Sequence, residues 1–451
     1  MSTVRDRLTS VASRPRDHHH ELHRRAKSHK LLAIVAALAL AFQTGLVLIS
    51  LFEPPLRYNI PDPGSEPLDS KQFIDILSAT TGGWTAGTNS VQVLTNGDKF
   101  YPAELAAIHA AQHFVHIECY IFQKGRVSDM ILNALEERAR AGVEVRMIID
   151  AVGSSAYPDS RFATLRSFGG RVAWYHRVRW YSWPRANNRT HRELTVVDGT
   201  VAFIGGAGFA DQWLMQVGHD PQWRDTVLRV EGAAATGLDG TFSENWLESS
   251  GEVLIAPKYF PVLDTQGGPT ALIVTSSPTA GRSSEARVLI QSLIAKATRT
   301  IDITNPYFLP DKTLREELAK AVRRGVNVRI LVPGKKADHL LTRRSSRALY
   351  GDLLRAGAHI YEYQPSMIHA KITVVDGLWA VAGSTNFDSR SFALNDEVNL
   401  AMPNPALAGR LEQDFANDLA SSRQISYDEW KHRPIWERLQ ERIGWLIENE
   451  E

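Results

Sequence analysis

The chain of 451 residues contains one cysteine, Cys119, so no disulfide can form within it. It also lacks an excess of either charge: 51 Lys and Arg meet 50 Asp and Glu, a formal net charge of +1. A near-neutral chain has no global electrostatic footprint for nucleic acid. No cluster of His, Cys and acidic residues with zinc-like spacing is found, and His18-His19-His20 with His23 reads as a solvated polar tail. Composition is otherwise ordinary, 43% hydrophobic and 22% charged, with enough apolar material for two or three domain-sized units.

Long apolar runs are scarce, with one exception. Leu31 to Phe52 is uncharged and interrupted only by Gln43, Thr44, Gly45 and Ser50. At roughly 1.5 Å per residue it matches a hydrocarbon core of about 30 Å. Residues 1–30 carry Arg5, Arg7, Arg14, Arg16, Arg24, Arg25, Lys27 and Lys30, whereas 53–82 carry only Arg57 and Lys71. The sequence therefore predicts an uncleaved single-pass anchor over 31–52. The positive-inside rule predicts the basic tail 1–30 in the cytoplasm and the remainder on the extracytoplasmic side of the cell membrane. Residues 53–85 hold Pro54, Pro55, Pro61, Pro63 and Pro67 and are predicted to be an extended tether.

Beyond residue 85 the chain repeats itself. Val115 to Phe122 parallels Ile301 to Phe308, Ala141 to Arg146 parallels Arg324 to Arg329, and His191 to Asp211 parallels His369 to Ser389. Each copy alternates strands with amphipathic helices, for example Met130 to Ala141 and Lys312 to Val322, and ends in a hairpin. This predicts a duplicated α/β domain, with one copy over 86–250, a linker over 251–270 and the second copy over 271–424. Residues 425–451 space Trp436, Leu439, Ile443, Leu446 and Ile447 along one helical face, predicted to pack on the core.

The second hairpin carries the chemistry. Ile372 to Val375 and Trp379 to Ala382 flank Asp376-Gly377, a dipeptide that tolerates φ > 0 at both positions of a tight turn. Strand alternation puts His369 and Lys371 on one face, and a two-residue turn places His369 opposite Ser384. An imidazole, an ammonium, a hydroxyl and the amide of Asn386 are thereby gathered: a nucleophile or acid-base group among phosphate-binding donors.

His369-x-Lys371-(x)4-Asp376, followed by Gly383-Ser384-x-Asn386, resembles the phospholipase D superfamily signature. The resemblance covers about residues 86–424. It implies two α/β/α sandwich domains packed about a pseudo-twofold axis, with no metal and no cofactor. One histidine forms a phosphohistidine and the other protonates the leaving alcohol and activates the incoming one. It further implies that an acid downstream of each hairpin, Asp225 and Glu397, orients its imidazole, while Asp198 and Asp376 are structural turn residues.

The first motif, His191-Arg192-Glu193 to Asp198, departs from the pattern. Glu193 stands where the family has Lys, and Gly208 where it has Asn. A carboxylate ~4 Å from a phosphate repels it by about 4 kcal/mol at an effective dielectric near 20. Trp174 to Arg185, running into Arg189 and Arg192, is basic and aromatic and is predicted to form a lip for an anionic headgroup. Glu193 is then expected to be held by one of those arginines. The expected substrate-binding set is Ser384, Asn386, Arg189, Arg192 and Glu193. Glu118 can be read as lining the pocket or as a buried partner of an arginine.

Among relatives, the second motif with Asn386 to Ser391 and Asn395-x-Glu397 is most similar to cardiolipin synthases. The resemblance implies a phosphatidyltransferase or phospholipase on anionic glycerophospholipids such as phosphatidylglycerol, with a lipid or alcohol acceptor and no nucleic-acid partner. The alternatives are a nucleic-acid phosphodiesterase of the same superfamily, or a weakened lipid-binding relative.

Overall fold

The computed structural model describes residues 29–30, 33–45, 56–88, 90–177, 187–219, 221–263, 268–278, 284–438 and 441. They belong to two compact units, 1–55 and 56–451. In the first, residues 33–45 are helical and present apolar side chains such as Ile34, Leu38 and Phe42 to solvent. Among the described residues no helix is long and apolar enough to cross a membrane. Residues 31–32 and 46–52 of the predicted anchor, like the histidine run, lie outside the described residues.

The second unit is a mixed α/β fold on two sheets. The seven-stranded sheet runs, across its width, Ser90–Thr95, Thr226–Glu231, Val201–Gly205, Leu194–Val197, Phe114–Cys119, Glu144–Asp150 and Arg171–Tyr175. The larger sheet contains the same series: Thr270–Ser276, Asn395–Pro403, Trp379–Gly383, Ile372–Val375, Thr300–Thr304, Asn327–Pro333 and His359–Tyr363. In both, the first five strands are antiparallel neighbours and the last three run parallel, joined by helical crossovers. The sequence repeat is therefore a topological one.

Strand alternation divides the core into layers. Val115, Ile117, Cys119, Met147 and Ile149 face the helices of the first half, while Leu194, Val196, Ala202 and Ile204 turn the other way. There they meet Val374, Ala380, Ala382, Val398 and Leu400 of the larger sheet in one shared apolar layer. Ile301, Ile303, Val328 and Ile330 face the helices of the second half. The helix Lys312–Arg323 starts on Asp311, whose carboxylate accepts the Leu314 N–H at 2.9 Å, and is followed by Gly325 at φ 92°.

Two boundary expectations are corrected. The tether 53–85 is not extended throughout: Lys71–Thr81 is a helix that buries Phe73 and Leu77 against the second half's core, and Trp84–Gly87 adds an edge strand beside Thr270–Ser276. The apolar spacing at Phe73, Ile74 and Leu77 explains this, since one face could be buried. At the other end, Pro434 interrupts the expected helix 425–451. The described part comprises the short helix Tyr427–Lys431 and residues 435–438, with Trp436 two-thirds exposed and not packed on the core. Leu439, Ile443, Leu446 and Ile447 lie outside the described residues.

Both hairpins turn through Asp-Gly with positive φ, 52° and 65° at Asp198-Gly199 and 56° and 62° at Asp376-Gly377. Each aspartate also ties the turn to a neighbouring strand. Asp198 accepts the backbone N–H groups of Gln112, His113 and Phe114, each at 2.8 Å, and Asp376 those of Thr298, Arg299 and Thr300 at 2.7–2.9 Å. The loops are one residue longer than expected. Leu378 has no register partner in the hairpin, so Val375 lies opposite Trp379 and Lys371 comes level with Gly383. His369 is thus not opposite Ser384; a bulge residue after the turn shifts the register by one.

Candidate active site

Two short parallel pairings join the hairpins. Arg189–Thr190 pairs with Asn395–Asp396 of the other half, and the His191 N–H donates to Asp396 O at 2.9 Å. Reciprocally, Ile368 bridges to Arg224, and the His369 N–H donates to Arg224 O at 2.7 Å. Each histidine therefore emerges beside the acid-bearing segment of the opposite half. His191 Nδ1 lies 3.0 and 3.1 Å from the two oxygens of Glu397, and His369 Nδ1 lies 3.1 Å from Asp225 Oδ2. This corrects the expectation that each acid serves its own hairpin: the exchange is crosswise, because the parallel bridges fix each histidine to the partner segment.

The carboxylates are themselves held. Asp225 is fully buried, accepting from Trp213 Nε1 at 2.9 Å and from the Thr226 N–H at 2.7 Å. Glu397 accepts a short hydrogen bond from Ser384 Oγ and a longer one from Asn395 Nδ2 at 3.4 Å. Ser384 Oγ also accepts the Val398 N–H at 3.1 Å, so this hydroxyl is occupied in positioning Glu397. Asn386 is buried with its Oδ1 unpartnered.

Lys371 is buried against His369. Its Nζ lies 2.8 and 3.1 Å from the ring nitrogens and donates to His369 O at 2.9 Å. Gly206, at the position equivalent to Ser384, makes this possible, since a Cβ there would lie 2.7 Å from Nζ. Glu193 is also buried. Its Oε1 accepts the backbone N–H groups of Tyr120 and Ile121 at 3.2 and 3.4 Å, and its Oε2 has no partner. A Cβ on Gly208 would meet Ile121 O at 2.7 Å and Glu193 Oε1 at 3.1 Å.

Among the described residues no arginine is hydrogen-bonded to or ion-paired with Glu193, and Arg179 and Arg185 of the expected clamp lie outside them. Arg189 is buried with Nη1 on Asp150 at 3.4 Å and Nη2 on His176 O at 2.9 Å. Arg192 is fully buried, donating to Thr241 O at 2.9 Å and Glu244 at 3.0 Å. Strand alternation explains this: Arg192 points away from the face that carries His191 and Glu193. Of the predicted lip, Trp174 and Arg177 engage Asp159, while residues 178–186 lie outside the described residues. Glu118 is buried, accepting from Thr190 Oγ1 at 2.5 Å and Asn245 Nδ2 at 2.6 Å, and burial raises its carboxyl to about 7.

Burial dominates the electrostatics. It pushes the Glu193 carboxyl well above its ordinary range, against the opposing field of Lys371. It lowers the His369 imidazole, with Lys371 acting in the same sense and Asp225 opposing. Burial lowers the Lys371 ammonium too, against the pull of Asp225, Glu397 and Glu193. Burial works to raise Asp225, but His369 and Lys371 outweigh it and hold that carboxyl low. Asp388, which feels both Glu397 and His191, is raised by burial to about 6.

Sequence reasoning missed the aromatic walls. Tyr120 stands edge-on to His191 at 5.4 Å, Tyr307 edge-on to His369 at 5.9 Å, and Trp213 and Trp223 each lie 5.5 Å from His369. Trp223 is two residues from Asp225, and that proximity was the available signal. Among the described residues no group of three or more His, Cys, Asp or Glu could hold a metal ion.

The profile described as "Cardiolipin synthase, PLD-like domain" matches residues 105–220 and 290–419. The chain is 34% identical over 386 residues to the major cardiolipin synthase ClsA of Bacillus subtilis, covering 84% of this chain and 79% of that protein. It is also 34% identical over 363 residues to a cardiolipin synthase of Alkalihalophilus pseudofirmus, covering 80% and 72%. In fold it is similar to a phosphatidylserine synthase from Haemophilus influenzae, with a TM-score of 0.64 and 14% identity over 84% of this chain and 99% of that one.

Proposed function

The chain belongs to the phospholipase D-like cardiolipin synthase family, and from that membership we propose how its residues carry out phosphatidyl transfer on anionic glycerophospholipids. The observation that carries the reading is the crossed pair of histidine–carboxylate contacts, His191 with Glu397 and His369 with Asp225. Two imidazoles, each fixed in tautomer by a carboxylate, suit one nucleophile and one acid-base partner. The repeated strand order and the shared apolar layer support two tandem sandwich domains related by a pseudo-twofold axis.

His369 is assigned as the nucleophile, because burial and Lys371 favour its neutral form. An imidazole nitrogen attacks phosphorus, the bond to the leaving alcohol breaks, and His191 as imidazolium gives that alkoxide its proton. The acceptor hydroxyl then loses a proton to His191 and attacks phosphorus, and the phosphorus–nitrogen bond breaks. Lys371 supplies positive charge to the phosphoryl oxygens, with the Asn386 amide as a further donor. Burial works against the charged form of Glu193, which lessens the repulsion of phosphate that the sequence raised. The charge asymmetry about residues 31–52 favours an anchor with its basic tail in the cytoplasm.

The test uses the full chain in mixed micelles with phosphatidylglycerol, with the lipid products then identified. A lipid carrying two phosphatidyl groups, with release of glycerol, is the expected product; no turnover overturns the reading. Acid quenching is unsuitable for a phosphohistidine, so the intermediate is trapped at alkaline pH. It should be retained by His191→Asn and absent from His369→Asn.

A further inference from the structure

Away from the histidines, a cavity of about 600 Å³ opens between the helix Leu340–Ala356 and residues 423–437 with Glu441. Six of its eleven lining residues are Lys or Arg and three are Glu, so it favours an anion. Several of these cations already have partners. Arg347 meets Glu362 and, at 3.3 Å, Glu441; Arg433 holds Glu441 at 2.6 Å; Arg423 faces Glu429. Three donors remain. The side chains of Lys335 and Arg344 make no hydrogen bond or ion pair among the described residues, and there the buried Arg343 Nε has no partner although Nη2 reaches Glu362 at 3.0 Å. A buried N–H without an acceptor is unfavourable, and an anion entering the cavity would relieve it.

Exposed apolar residues adjoin the lining in sequence: Leu340 and Leu341 begin the helix that carries Arg343 and Arg344, and Ile435 and Trp436 directly follow the lining residue Pro434. Unpaired cations a few residues along the chain from exposed aliphatic and indole groups suit an amphiphile: guanidinium on phosphate, indole at the interface. The volume also lies in the range of small-molecule sites. The loop that carries Lys335 continues to Asp338, whose carboxylate accepts from Tyr307 OH at 2.6 Å. Tyr307 in turn packs edge-on to His369, so this loop connects the cavity to the reacting centre.

We propose that the cavity binds the phosphate-bearing headgroup of an anionic membrane lipid, at a site separate from the histidines. The choice of a lipid over a soluble phosphate rests on the phosphatidyltransferase reading. Native mass spectrometry of the full chain, silenced by His369→Asn and released from detergent micelles containing phosphatidylglycerol or phosphatidylcholine, counts the lipids retained. The parent should keep one more phosphatidylglycerol than the Lys335→Gln/Arg344→Gln variant, at equal melting temperature, and phosphatidylcholine should show no such difference. Trp436→Ser leaves every cation in place and should also weaken retention, which guards against a folding artefact in the first variant. Equal lipid counts in parent and double variant overturn the proposal. So does an inorganic phosphate adduct, in lipid-free detergent, that the double variant loses while its lipid count stays unchanged, because the site would then take free phosphate. Turnover by the chain with His369 intact reports on the chemistry separately, so either reading can fail without the other.

Discussion

Nδ1 of His191, carried by the first half of the repeat, lies 3.0 Å from Oε1 of Glu397, carried by the second. Asp225 and His369 return the exchange at 3.1 Å. Neither of these two histidines takes its acid from its own half, which ties the duplication to one shared centre. Glu397→Gln and Asp225→Asn should each lower turnover by on the order of a hundred- to ten-thousandfold, through loss of tautomer control and imidazolium stabilisation. Because the groups act as a unit, Glu397→Gln added to His191→Asn should cost little more than His191→Asn alone. Additive losses in kcat across that pair would show that Glu397 acts elsewhere.

Glu193 gives a prediction about stability. A folded-state pKa raised above the unfolded value stabilises fully below the unfolded pKa, and that contribution disappears as pH rises through the folded pKa. Glu193→Gln keeps an oxygen for the Tyr120 and Ile121 N–H groups and removes the titration. Its melting temperature should therefore gain on the parent as pH rises above the ordinary carboxylate range, with turnover retained. Glu193→Lys buries a second ammonium in the field of Lys371 and should cost on the order of several kcal/mol and most of the activity. A stable, faster Lys variant would mean that the carboxyl only hinders phosphate.

The two glycines of the first motif make restoration of the family pattern harmful. Gly208→Asn drives a Cβ to 2.7 Å from Ile121 O, a backbone atom, and should destabilise by about 1–3 kcal/mol. Gly206→Ala places a Cβ 2.7 Å from Lys371 Nζ and 3.0 Å from His369 O. Because a lysine end can move, Gly206→Ala should lower kcat more than it lowers the melting temperature. Equal activity in the alanine variant would mean that Lys371 need not stay where it packs.

Much of this was legible in the sequence, for definite reasons. The repeat showed because matching strands keep matching apolar faces, and the Asp-Gly turns because only certain residues accept positive φ. The register slip at Leu378 was not legible, since a bulge residue carries no compositional mark of its own. The crosswise acids were hidden for a different reason: His191 and Glu397 are 206 positions apart, and only the parallel bridges of the tertiary fold bring them together. Arg192 looked like a phosphate ligand by proximity to His191, yet one step along a strand reverses the side-chain direction and sent it to Glu244.

The turn aspartates should matter to folding and not to chemistry. Asp376→Ala removes the acceptor for three backbone N–H groups and puts alanine at φ 56°. A loss of at least about 2 kcal/mol is expected, with Asp376→Asn milder because asparagine tolerates the left-handed region. Denaturant unfolding measures both, and kcat per folded molecule should be little changed in the asparagine variant.

The pH dependence of turnover tests the assignment of His369. Its imidazole is lowered below 6.5 by burial and by Lys371, with Asp225 opposing. If neutral His369 attacks phosphorus, turnover falls as pH drops through that lowered value, so the acid limb of the profile belongs to it. Lys371→Met removes one depressing charge and should move the acid limb up towards the ordinary histidine range, at much reduced kcat. Asp225→Asn removes the group that stabilises imidazolium and should move the same limb down. The two variants thus shift one limb in opposite directions. The same proton balance enters stability: below the unfolded value the unfolded chain binds a proton that buried His369 resists, so His369 costs stability as pH falls through that window. His369→Gln should lessen the fall. If the alkaline limb moves in these variants instead of the acid one, His369 is the proton donor and His191 the nucleophile.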